Sequence, residues 1–125
     1  VLKAGFDLRW EPGALFVYEW RDDPYNYSLG PQLATDAAGH LTANGQPVMD
    51  LTPGQWVRCD VVCGLGKQNT GKYELTIKPA GGAAQTLTLA HAPTFETLNC
   101  VVVMSVTQGE SVFYLDNVGF QPTGQ

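Results

Sequence analysis

Ser111-Val112-Phe113-Tyr114-Leu115-Asp116-Asn117-Val118-Gly119-Phe120 is the stretch that decides the fold. An aromatic and β-branched run carries a single acid, Asp116, close to the end of the chain. Strands of this kind close β-sandwiches, where the last strand pairs beside the first and brings the termini together. A matching first strand is legible over residues 2–10, with Phe6, Leu8 and Trp10 on one face.

Between these two strands no segment sustains a helical period. Short strands alternate with turn signals, the pattern of a sandwich or barrel. Residues 14–21 read as a second strand, with Phe16, Tyr18 and Trp20 on one face and Leu15, Val17, Glu19 and Arg21 on the other. Two apolar-looking faces imply a central strand, or a core face backed by an aromatic binding face. Strands are expected at 32–35, 40–43, 47–51, 55–63, 72–78, 85–89, 98–106 and 111–120. Asn44-Gly45 predicts a type I′ hairpin, because both residues tolerate positive φ. Pro47 lacks an N–H and places its strand at an edge or at a strand start. Thr107-Gln108-Gly109-Glu110 is expected to turn the last pair. The result is an all-β antiparallel fold of roughly nine or ten strands, read as one domain over residues 1–125.

Composition narrows the function classes. The chain carries a net charge of −5 and few lysines, which argues against nucleic acid, since phosphate binding wants a basic stripe. A neutral, hydroxyl-rich partner such as a glycan is compatible with that charge. No apolar run approaches the ~20 residues of a bilayer span, so no membrane partner is expected. The first residues read as strand rather than as a signal peptide, so the chain reads as a mature protein or a module cut from something longer. Cys59 and Cys63 sit four apart on one strand, roughly 13 Å at ~3.3 Å per residue, too far to bond each other. Either could reach Cys100, and the favoured reading is three small buried hydrophobes.

Several patterns point to chemistry. Gly66-Lys67-Gln68-Asn69-Thr70-Gly71-Lys72 matches the start of a P-loop, but Tyr73 stands where the magnesium ligand belongs and a strand follows. His40 and His91 both lie beside turns and read as surface residues without a zinc-ligand pattern. Glu19 and Asp60 could serve as a carboxylate pair on a concave sheet. Each, however, has an arginine of the same parity beside it, Arg21 and Arg58, which suits a salt bridge better than a general acid. Tyr18, Trp20, Tyr25 and Tyr27 supply stacking surfaces for sugar rings, with Asn26, Arg21 and Arg58 to bond hydroxyls. The alternative places Tyr18 and Trp20 in the core. Asn26-Tyr27-Ser28 is also a glycosylation sequon. Asp116, in an apolar strand, needs a partner. A structural calcium shared with Asp7 is the specific expectation, and a hydrogen-bonded or rim-exposed acid is the alternative.

Gly54-Gln55-Trp56-Val57-Arg58 is similar to the G-x-W strand start of concanavalin-A-like, laminin-G-like jelly rolls, and Val112-Phe113-Tyr114-Leu115-Asp116-Asn117-Val118 resembles their closing strand. The segment from Gly30-Pro31-Gln32-Leu33 to Asn44-Gly45 looks like modules attached to large secreted bacterial proteins acting on polysaccharides. The resemblance implies a jelly roll of two antiparallel sheets with a concave face and often glycan binding. Hydrolase members carry paired acids close together on one strand, and lyase members carry alternating Gln, His and Arg motifs. Neither pattern occurs here. The leading expectation is therefore a non-catalytic accessory module. It would bind a polysaccharide or oligosaccharide through Tyr18, Trp20, Arg21, Tyr25, Asn26, Tyr27 and Arg58, outside the cell and within a larger multidomain protein. The alternatives are a small glycan-active enzyme using Glu19 and Asp60, and a structural or interaction domain without a small ligand.

Overall fold

The computed structural model describes residues 1–106 and 111–123. Its strands are β1 (Leu2–Trp10), β2 (Phe16–Arg21), β3 (Leu29–Thr35), β4 (His40–Ala43), β5 (Gln46–Asp50), β6 (Trp56–Cys63), β7 (Lys72–Pro79), β8 (Gln85–Ala90), β9 (Cys100–Ser105) and β10 (Phe113–Pro122). They form two five-stranded antiparallel sheets that pack as a β-sandwich. The first sheet has the order β10-β1-β6-β7-β8, and the second β5-β4-β3-β2-β9. The closing strand β10 pairs antiparallel with β1 from Leu2↔Pro122 to Trp10↔Phe113. The turn expected over residues 107–110 lies outside the described residues.

Strict alternation explains the core. Ala4, Phe6, Leu8 and Trp10 of β1, Val57, Cys59, Val61 and Cys63 of β6, and Tyr73, Leu75 and Ile77 of β7 project from the first sheet. Phe16, Tyr18, Trp20, Leu33, Leu41 and Ala43 meet them from the second. Phe6 is the hinge of this contact, with ring centroids 5.8 Å from Phe16 and 4.4 Å from Tyr18. Truncating such a ring to alanine costs about 3–5 kcal/mol.

Two strand boundaries depart from the sequence reading for local reasons. β2 begins at Phe16 rather than Ala14, because the Ala14 carbonyl is claimed by side chains: Trp10 Nε1 donates to it at 2.9 Å and Thr35 Oγ1 at 3.2 Å. β3 begins at Leu29, three residues early, and so contains Pro31. The ladder accommodates the missing proline N–H by a bulge, since Glu19 pairs with Gln32 but Arg21 pairs with Leu29. Elsewhere the turn chemistry is as expected. Asn44 and Gly45 have φ of 45° and 81°, and Pro47 lies on the edge strand β5. The P-loop-like segment is a short 3₁₀ turn at Gly66–Gln68 followed by β7, with no helix to cradle a phosphate.

Candidate functional site

The outward side of β2 carries Glu19 and Arg21, and β3 lies beside it with Gln32 opposite Glu19. Glu19 is only 3% exposed. Both of its oxygens are occupied: Arg21 Nε donates to Oε2 at 2.7 Å and Gln32 Nε2 donates to Oε1 at 3.2 Å. Thus fixed, the Arg21 guanidinium lies 3.9 Å from the centroid of the Tyr27 ring. The carboxylate beside it raises the Arg21 pKa further. Such a stack is worth about 0.5–1 kcal/mol at an exposed site, which favours the observed orientation of the phenol ring.

The loop of residues 22–28 is fastened by its own acids. Asp23 Oδ1 accepts the Tyr25 and Asn26 N–H groups at 2.9 and 3.2 Å, and Asp22 Oδ1 accepts that of Ser28 at 2.6 Å. Ser28 Oγ also bonds Thr94 Oγ1 at 2.6 Å, tying the loop to the connection before β9. This is the Asx chemistry that Asp supplies in turns. It leaves Tyr25 92% exposed and Tyr27 partly exposed, with Asn26 between them. Behind the loop, Gly30 packs against the buried ring of Phe95, where a Cβ would lie 2.6 Å from the ring.

Tyr18 and Trp20 do not join this surface, which corrects their expected role in stacking. Both are buried between the sheets, where Trp20 Nε1 donates to the Tyr18 hydroxyl at 3.1 Å. Burial pushes the Tyr18 phenol up to about 12, and no sugar reaches either ring. The aromatic face of their strand is the one turned to the first sheet, where Phe6 packs against Phe16 and Tyr18.

Arg58 lies on the other side of the molecule. The outward face of the first sheet gathers Asp7, Arg58, Asp60, Asp116 and Asn117. Arg58 Nη2 bonds Asp60 at 3.1 Å, and its Nη1 reaches Asp7 at 3.5 Å and the Asn117 carbonyl at 3.0 Å. Asn117, held at a φ of 49°, donates from Nδ2 to Asp7 Oδ2 at 2.6 Å. Asp7 and Asp116 are indeed register partners. The partners of Asp7 are nevertheless an arginine and an amide, and Asp116 Oδ1 accepts the Asn117 N–H at 2.8 Å. Among the described residues no three His, Cys, Asp or Glu side chains converge on one point. The donor set therefore does not fit a calcium shared by Asp7 and Asp116. Glu19 and Asp60 project from opposite outer faces, so they cannot flank one glycosidic bond, and the carboxylate pair of the enzyme reading is corrected.

His91 is also corrected, from surface to interior. It packs edge-on against Phe95 with centroids 5.1 Å apart, and its Nδ1 lies 2.9 Å from the Ala92 carbonyl. Cys59 and Cys63 are buried in the core with thiols pushed up to about 12 and about 11 by burial. Cys100 is half-buried on β9, across from Arg21, and none of the three is bonded to another.

Sequence reasoning missed Gln32, Arg9 and Tyr114. Gln32 is recognisable only through its register with Glu19. Arg9, flanked by its register partners Trp56 and Tyr114, lies with its guanidinium 5.6 Å from the Tyr114 ring. Compared with known protein families, curated proteins and solved structures, the chain matches none.

Proposed function

We propose that the chain is a non-catalytic accessory module that binds carbohydrate through the loop of residues 22–28 and the adjoining Arg21–Tyr27 stack. The observation that carries this reading is the exposure of Tyr25 on a loop that its own carboxylates hold rigid, beside a second ring backed by a paired guanidinium. Tyr25, 92% exposed, and Tyr27, 41% exposed, present two aromatic rings on this one loop. Pyranose C–H faces stack on such rings, and Asn26 supplies an amide for hydroxyls. The Tyr27 ring and the Arg21 guanidinium are already packed together and the loop backbone is already bonded to Asp22 and Asp23, which lowers the entropic cost of binding. The resemblance to concanavalin-A-like jelly rolls of secreted bacterial proteins supports the same reading and extends it to a module of a larger extracellular protein.

Affinity electrophoresis through gels containing a panel of polysaccharides tests the proposal. Wild type is expected to be retarded on at least one glycan. Tyr25→Ala and Tyr27→Ala should each weaken binding by about 1–2 kcal/mol, roughly five- to thirtyfold. Unretarded migration of the wild type on every glycan overturns the proposal.

A further inference from the structure

The loop of residues 22–28 sits in a negative field. Asp23 is exposed and Asp22 half-buried. Each accepts backbone N–H groups at Oδ1, at 2.9 and 3.2 Å for Asp23 and 2.6 Å for Asp22. Such bonds orient a carboxylate without cancelling its charge. Among the described residues neither acid has an ion-pair partner. The guanidinium at the site, Arg21, is already matched: its Nε donates to Glu19 at 2.7 Å, and its side chain is only 15% accessible. Lys67 shares a groove with Glu96, two residues beyond Thr94.

The rest of the molecule does not restore the balance. By strand alternation Lys3, Arg9, Arg58, Lys72 and Lys78, five of the chain's seven cations, stand on the outer face of the first sheet. The loop joins β2 to β3 in the second. The groups it offers a ligand are uncharged: the exposed Asn26 amide, the two phenols and the Ser28–Thr94 hydroxyl pair.

We propose that this site selects uncharged glycans over uronate- or sulfate-bearing ones, and that Asp22 and Asp23 are the selecting groups. The inference rests on the carbohydrate reading and deepens it. An anion stacked on the Tyr25 ring comes close to the Asp23 carboxylate, which is bonded to that residue's own N–H. At about 7 Å, a like-charge pair costs about threefold in affinity even at the dielectric of bulk water. Two carboxylates then discriminate about tenfold, by repelling the wrong ligand rather than by gripping the right one. Arg21 cannot recruit the anion without giving up Glu19, which is 3% exposed and would be left buried without its cation.

The test titrates isotope-labelled protein with soluble polysaccharides in matched pairs, neutral and charged on one backbone. The pairs are hydroxyethyl- and carboxymethylcellulose, galactomannan and its carboxymethyl derivative, and agarose-type galactan and carrageenan. Binding is read from the amide shifts of residues 22–28. In about 0.1 M salt, where charges act over ~10 Å, the neutral member of at least one pair is expected to bind about tenfold more tightly than its charged counterpart. The gap should close in about 1 M salt, where the range is ~3 Å. Asp22→Asn and Asp23→Asn keep an Oδ1 acceptor for the loop bonds and remove the charge. Each should raise the charged-to-neutral affinity ratio about threefold, whereas a loosened loop alone moves both affinities together. Asp50→Asn removes the same charge at the other end of the second sheet. The span of β3 from Leu29 beside the loop to Thr35 beside β4 is ~20 Å, so this variant should leave the ratio unchanged. A charged polymer that binds as tightly as its neutral counterpart overturns the proposal and leaves the carbohydrate reading standing. A ratio moved equally by Asp50→Asn also overturns it, by assigning the preference to net charge. No binding to either member of any pair removes the carbohydrate reading, and the selectivity with it.

Discussion

Glu19–Arg21 and Arg58–Asp60 are the same sequence device, an acid and an arginine two residues apart on a strand, placed on opposite outer faces of the sandwich. Their structures differ. The Glu19 carboxylate is buried, with both oxygens bonded at 2.7 and 3.2 Å, and its arginine is packed against an aromatic ring. Asp60 and Arg58 are partly exposed, with side chains 22% and 36% accessible, and Arg58 divides its donors among Asp60, Asp7 and the Asn117 carbonyl at 3.0–3.5 Å. Strand parity puts each pair on one face, but the neighbouring strands decide what the pair does. Beside Gln32 and Tyr27 it becomes a rigid support for a ring; across from Asp7 it becomes a strap over an exposed sheet.

The largest break in this comparison should come from Glu19→Ala. It leaves the Arg21 guanidinium and the Gln32 amide without their acceptor in a place where water reaches poorly. A loss of about 2–3 kcal/mol is expected in chemical denaturation. Glycan retardation should weaken with it, because Tyr27 loses its fixed backing. Gly30→Ala comes next. Its Cβ would meet the ring of Phe95, which is fully buried and cannot turn aside, and overpacking of this kind costs about 1–2 kcal/mol.

The corresponding changes on the other face should be small. Arg58→Ala is expected to cost less than ~1 kcal/mol, since the pair is solvent-screened, and 1 M salt should erase most of that difference while leaving the Glu19→Ala loss largely intact. Gly5→Ala places a Cβ against Arg58 and Asp60, but it meets the ends of flexible side chains. Because alanine is also the better strand residue by about 0.5–1 kcal/mol, the net change should lie near zero. A large loss in either variant would mean that the Arg58 strap is as rigid as the Glu19 site.

How much of this was legible depended on distance along the chain. The Asn44-Gly45 hairpin and the edge position of Pro47 are local consequences of φ preference and a missing N–H, and the structure has them where the residues predict. The closing strand beside the first was legible because both ends carry strong alternation. Which face of β2 is inward was not. Val17, Glu19 and Arg21 alternate with Phe16, Tyr18 and Trp20, and a period of two cannot say whether aromatic rings fill a core or a platform. The answer came from the opposite sheet, where Phe6 of β1 packs against Phe16 and Tyr18. The Glu19–Gln32 and Asp7–Asn117 contacts arise from register between strands far apart in sequence. His91 read as a surface residue because the packing of Phe95 against it cannot be seen from a turn-like segment.

The smallest effect tests the fully exposed limit of the same device. His40 Nδ1 pairs with Asp36 Oδ2 at 2.7 Å, and Asp50 lies 3.7 Å from its Nε2. The bond to Asp36, reinforced by the charges of Asp36 and Asp50, raises the His40 pKa above 6.5. The backbone N–H and side chain of His40, with the Ala38 N–H, hold Asp36 below 3.8. The signs fix the pH window. The histidine's contribution is complete below its ordinary value and fades as pH rises through the raised one. The aspartate's contribution is complete above its ordinary value and fades as pH falls through the lowered one. The pair therefore stabilises the hairpin most between about pH 3.8 and 6.5. Asp36→Asn should move the His40 titration, followed by NMR of its ring protons, down toward 6.5, and 1 M salt should do much of the same in the wild type. An unmoved titration in Asp36→Asn would transfer the shift to Asp50. In neither case should the titration of His40 disturb the Tyr25–Tyr27 loop, because no contact links the two.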